Sequence, residues 1–162
     1  MRVHHIWIVS IGLSLAPLSP ALADSCFSAS ETRALLFRTW QQEFSIAALY
    51  CHELFPESTI KPHYQTFVIR FNRKLEQNAS KLRQAFDRVG LDMDRWMTQV
   101  ANHASDRVFH DPDFCVRADQ ELDQALDLRD ADLDLLAEAS AGLRYPVNVC
   151  EAAQDQMEIY RR

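Results

Sequence analysis

Four cysteines, Cys26, Cys51, Cys115 and Cys150, stand at the borders of stretches whose apolar residues recur every three or four positions, and this placement constrains the fold more than any other feature. Apolar residues at that interval line one face of an α-helix. Only three of the 162 residues are glycine, and almost no strand can be read. The expected fold class is all-α.

The period predicts four main helices. The first runs from about Ser30 to Cys51, with Leu36, Trp40, Phe44, Ala47, Ala48 and Cys51 on one stripe and Ser28 or Ser30 as N-cap. The second, about Pro62 to Val89, buries Tyr64, Phe67, Phe71, Leu75, Leu82 and Phe86 and stops at Gly90. The third, about Asp92 to Phe109, has Asp92 as its cap and Trp96, Val100, Ala104 and Val108 inward. The fourth runs from Asp111, with Pro112 in the first turn, to about Ser140, its stripe interrupted by Arg129. A turn at residues 144 to 146 and a short C-terminal helix from Cys150 to Tyr160 complete the chain.

Four long helices on short loops form an up-and-down antiparallel bundle most simply. That topology brings the end of the first helix to the start of the fourth, and the segment before the first to the segment after the fourth. The expected disulfides are therefore Cys51 to Cys115 and Cys26 to Cys150, because bridged α-carbons lie roughly 4.4–6.8 Å apart and the other pairings would span the bundle. Disulfides imply an oxidising compartment.

The N-terminus agrees. The apolar run IWIVSIGLSLAPL follows Arg2 and leads to Ala21-Leu22-Ala23, the small-x-small pattern of a signal peptidase site, with cleavage expected after Ala23. Asp24 and Ser25 before Cys26 argue against lipidation. No later segment approaches the roughly 20 apolar residues of a spanning helix. Residues 24 to 162 are thus expected as one helical domain without a transmembrane segment, periplasmic or secreted. Loss of the leader takes one arginine and no acid, leaving 16 basic against 23 acidic residues, a balance that argues against nucleic-acid binding.

Charge is unevenly placed. Residues 62 to 89 hold six basic residues against Glu76 and Asp87, whereas residues 111 to 138 hold ten acids against Arg117 and Arg129. In a simple four-helix order these two helices lie diagonally and do not neutralise each other. Arg70, Arg73, Lys74 and Lys81 form the candidate docking face for a protein partner steered by that field.

Other chemistry is sparse. His103, Asp106 and His110 share a face of the third helix and are the candidate metal ligands, although two histidines seven residues apart are about 10.5 Å apart along the axis. Cys51-His52 does not suit nucleophile and base, since adjacent helical residues diverge. Asp130 to Glu138 fails as a calcium loop, with Leu135 and Ala141 where glycine and glutamate belong. Asn78-Ala79-Ser80 matches a glycosylation acceptor but lies within a helix, and Asn102 and Ser105 are read as helix–helix hydrogen-bonding groups. No phosphate loop, serine elbow or haem motif is present, so neither catalytic residue nor cofactor is assigned and the chain leans non-enzymatic.

The segments AALYC, Tyr64-x-x-Phe67-Val68-x-Arg70-Phe71, Ala101-Asn102-x-x-Ser105 and Phe114-Cys115 make residues 33 to 150 resemble a family of short exported bacterial all-helical proteins of uncharacterised function. Members sometimes carry an S-adenosylhomocysteine hydrolase label, which this chain does not support: it lacks the glycine loop and the size of that fold. The resemblance implies no catalytic residue. The functional expectation is an exported protein-interaction module, with a small-ligand or metal carrier using an interhelical pocket as the alternative.

Overall fold

The computed structural model describes residues 25–141 and 147–151. The expected leader and cleavage point, the expected turn at 144 to 146 and all but the start of the expected C-terminal helix lie outside the described residues. Six helices follow in order: α1 (Ala29–Leu54), α2 (Ile60–Arg70), α3 (Asn72–Val89), α4 (Met93–His110), α5 (Phe114–Asp127) and α6 (Leu133–Ser140).

Helix signals near the termini explain three of the boundaries. Ser28 caps α1, and its N–H donates to Glu31 Oε2 at 2.8 Å in a capping box. Asp92 caps α4 by accepting from the Arg95 N–H at 3.0 Å. Gly90 ends α3 with φ +71°, a left-handed conformation that glycine adopts without steric penalty.

Long-range contacts set the directions. The Arg88–Glu31 ion pair joins the end of α3 to the start of α1, so α2 and α3 descend. Leu35 and Trp96 share one core cluster and Tyr50 meets Phe109, so α4 rises beside α1. Arg33–Glu138 and the Cys51–Cys115 bond send α5 and α6 down again. The result is an up-and-down bundle in which the second and fourth runs are each two helices.

Four expectations are corrected. The helix expected from Pro62 to Val89 bends at Phe71 (φ −104°, ψ 19°), which lets α2 lie on α5 while α3 turns toward α4. The helix expected from Asp111 to Ser140 starts at Phe114 and breaks between Leu128 and Asp132, where Arg129 bonds Asp132. Asp111 is the C-cap of α4 rather than an N-cap. The basic and acidic runs, expected diagonal, touch: α2 packs on α5, and α3 reaches α6 through Lys74 and Asp134.

α1 packs against each of the other helices. Four consecutive residues, Ala34 to Phe37, are buried, as are Trp40, Phe44 and Ala47, so the helix is enclosed round most of its circumference. One core surrounds Trp40, whose ring centroid lies 4.5 Å from Phe44 and 6.0 Å from Phe67. A second gathers Phe27, Leu35, Leu82, Phe86 and Trp96 at the end where α1 begins.

Both expected disulfides are present, with α-carbons 5.6 Å apart for Cys51–Cys115 and 5.1 Å for Cys26–Cys150. The second is doubled by backbone pairing: the Phe27 N–H donates to Asn148 O, and the Cys150 N–H to Phe27 O. This isolated bridge is the one β pairing among the described residues. Because the crosslinked residues are 64 and 124 positions apart, removing either bond by paired Cys→Ala substitution is expected to lower unfolding free energy by about 4 kcal/mol in the chain-entropy model. Urea unfolding measures it; a loss below about 1 kcal/mol for both pairs contradicts the stapling role.

Candidate functional site

The docking-face residues occupy two places on the bundle. Arg70, on the last turn of α2, bonds the carbonyls of Leu126 and Leu128 at the end of α5, where a cation suits the negative helix terminus. It borders a shallow depression with Arg73, Glu76 and Asp130. Lys74 and Lys81 instead line a groove of about 230 Å³ between α1, α3 and α6.

Sequence periodicity builds this groove. Lys74, Gln77, Asn78 and Lys81 are spaced three and four apart and so share a face of α3, opposite Ser30, Arg33 and Ala34 of α1. Lys74 Nζ bonds Asp134 Oδ2 at 2.9 Å and lies 5.2 Å from the Phe37 ring. Arg33 Nε lies 3.1 Å from Glu138 Oε1, out of hydrogen-bond alignment. Lys81 and Arg73 form no ion pair among the described residues.

Behind the groove lies Arg38, a half-buried guanidinium with three neutral acceptors. It donates to Asn78 Oδ1 (3.2 Å), Gln41 Oε1 (2.9 Å) and Leu75 O (3.1 Å). Asn78 in turn donates to Ala34 O at 2.9 Å, which holds its amide as a groove wall and leaves its side chain tied to protein. Burial pushes the Arg38 guanidinium below the ordinary arginine value, and Arg83 adds to this while Tyr64 opposes it. Four cations, Arg33, Arg38, Lys74 and Lys81, thus surround the groove against two carboxylates, Asp134 and Glu138.

A second cleft, of about 410 Å³, lies where α1 faces α4, α5 and α6. Its charges are matched internally: Arg107 pairs with Glu43 at 2.5 Å and Asp111 at 3.6 Å, and Arg117 bonds Asp111. Glu121 accepts from Trp40 Nε1 at 2.9 Å. The Arg117 hydrogen bond, reinforced by the Arg117 and Arg107 charges, holds the Asp111 carboxyl below the usual carboxylate range.

The candidate metal ligands do not converge. His110 Nδ1 lies 3.2 Å from Asp106 Oδ1 at the surface, while His103 is half-buried, and no group of three His, Cys, Asp or Glu among the described residues is placed to hold an ion. Ser105 donates to Ala101 O within its own helix and Asn102 is exposed, so neither forms the expected helix–helix bond. All four cysteines are oxidised, and Cys51 has no thiol to activate. Sequence reasoning missed Arg33, Arg38 and Asn78. The one local signal was Arg38 itself, a charge set between Phe37 and Thr39 in a helix that is otherwise apolar there.

Two titrations follow. Asp111 holds its proton less tightly when folded, so its stabilisation is present at neutral pH and is lost as pH falls below the ordinary carboxylate value. Asp111→Asn is expected to lower Tm at pH 7 and to match the wild type near pH 2. Glu138 is the reverse: burial, with Asp134, raises its pKa against the pull of Arg33. Its ionised form therefore opposes folding, and Glu138→Gln is expected to keep or raise Tm at pH 7; a lower Tm contradicts this. Comparison of the chain with protein-family models, with curated proteins and with solved structures finds no match.

Proposed function

We propose that the chain is an exported helical interaction module that docks an acidic segment of a protein partner on the outer face of α3, the basic run singled out by the uneven placement of charge. The observation that carries this reading is the split within the basic run. Arg70 and Lys74 are engaged by α5 and α6, whereas Arg73, at the depression beside Asp130, and Lys81, eight residues on at the groove, are exposed and have no carboxylate partner among the described residues. Exposed cations without a carboxylate partner leave their field open to an oppositely charged surface and steer its approach. Two disulfides, and the lack among the described residues of a helix long and apolar enough to cross a membrane, are compatible with export.

The groove between α1 and α3 favours a second reading, a small-ligand carrier. The test that separates the two is a photocrosslinking residue at Gln77, between Arg73 and Lys81, in the producing cells. A discrete protein adduct is expected, weakened by salt and lost in the Arg73→Glu, Lys81→Glu double variant with far-UV circular dichroism unchanged. An adduct that survives the double reversal removes this face from the function.

A further inference from the structure

We infer that the groove between α1, α3 and α6 is an oxyanion site, taking one carboxylate or phosphate group. The inference rests on the docking reading only for the source of that group, an acidic side chain of the partner; the chemistry of the groove stands by itself.

Size comes first. At about 230 Å³ the groove is smaller than the roughly 300–1,000 Å³ of sites that enclose drug-sized ligands, and it suits a small ion or the end of a side chain. Charge comes second. Among the described residues Lys81 has no carboxylate partner, Lys74 gives one bond to Asp134, and Arg33 is ion-paired with Glu138 at 3.1 Å from Nε without an aligned hydrogen bond, so its guanidinium has protons for another acceptor. Two terminal guanidinium donors match an oxyanion's paired oxygens. Gln77 and Ser30 add uncharged donors at the rim.

Arg38 is the independent observation. A guanidinium held half-buried by an asparagine amide, a glutamine amide and a backbone carbonyl carries its charge into the bundle with no carboxylate ion-paired to it among the described residues. Such a charge is unfavourable until a counter-charge approaches. Of its three acceptors Asn78 lines the groove, so one hydrogen bond links Arg38 to the groove wall. An anion lying against Asn78 is therefore stabilised by Arg38 through the amide dipole without touching it. In the second cleft the arginines are matched by carboxylates, and no equivalent surplus exists there.

The test uses the full oxidised protein and two probes at constant ionic strength, sodium phosphate and a short Asp/Glu peptide, followed by amide NMR. Saturable shifts confined to Ser30–Ala34 and Lys74–Lys81 are expected with phosphate, with affinity about tenfold weaker in Lys81→Ala and unchanged in Arg95→Ala on exposed α4. Lys81 is exposed and makes no hydrogen bond or ion pair among the described residues, so its loss is not expected to unfold the protein. Peptide that displaces phosphate assigns the site to a docked acidic segment, whereas phosphate binding that peptide does not disturb assigns it to a free small oxyanion; both support the inference. Linear, non-saturating shifts, or equal weakening in Arg95→Ala, overturn it. Peptide binding without any phosphate effect also overturns the groove, yet leaves docking on α3 standing.

Discussion

Because α1 is buried round most of its circumference, every other helix is positioned by what α1 presents to it. Trp40 is the centre of this arrangement: its ring packs on Phe44 and Phe67, and its Nε1–H still reaches Glu121 on α5. A buried indole without that acceptor would forfeit a hydrogen bond. The same helix supplies Arg38 to α3 and Glu43 to α4, so several of the polar contacts that orient the outer helices originate on the enclosed one. Each large apolar side chain it buries contributes roughly 1.5–3 kcal/mol, and the orientation follows from those hydrogen bonds.

Charge then decides which surface stays open. The acidic run on α5 and α6 lies against the basic run on α2 and α3, not across the bundle from it, and it consumes Arg70 and Lys74. Arg70 enters where α5 ends and the chain breaks, satisfying carbonyls that a continuous helix would have bonded internally. What remains outward is the narrower pair Arg73 and Lys81, beside a groove whose positive surplus is reinforced from behind by Arg38.

The two ends of the domain are closed by different means. Where α1 ends, Cys51–Cys115 is buried against the larger core. Where α1 begins, Cys26–Cys150 is joined by the Phe27–Val149 bridge, by Phe27 packed 5.1 Å from Phe86, and by Arg88 donating to both Cys26 O and Glu31. The Glu31 carboxyl is pushed up by burial there, but its bonds to Ser28 and Arg88 bring it below the ordinary value. One carboxylate thus serves the helix cap and the staple at once.

Helix type, the α1 stripe, the Asp92 and Gly90 boundaries and the disulfide pairing were determined by the sequence alone, because each depends on a period, a cap within three residues or a simple alternation of direction. The bends at Phe71 and at Leu128 to Asp132 were decided by tertiary structure, since they depend on carbonyls that Arg70 captures from 56 and 58 residues away. So was the division of the basic run into engaged and open cations, and so was the burial that sets His103 apart from the exposed Asp106 and His110 on the same face of α4. Arg38 shows the limit most clearly. Its charge is plain in the sequence, but its three neutral partners lie on two helices, and which acceptors a side chain meets is a property of how helices pack.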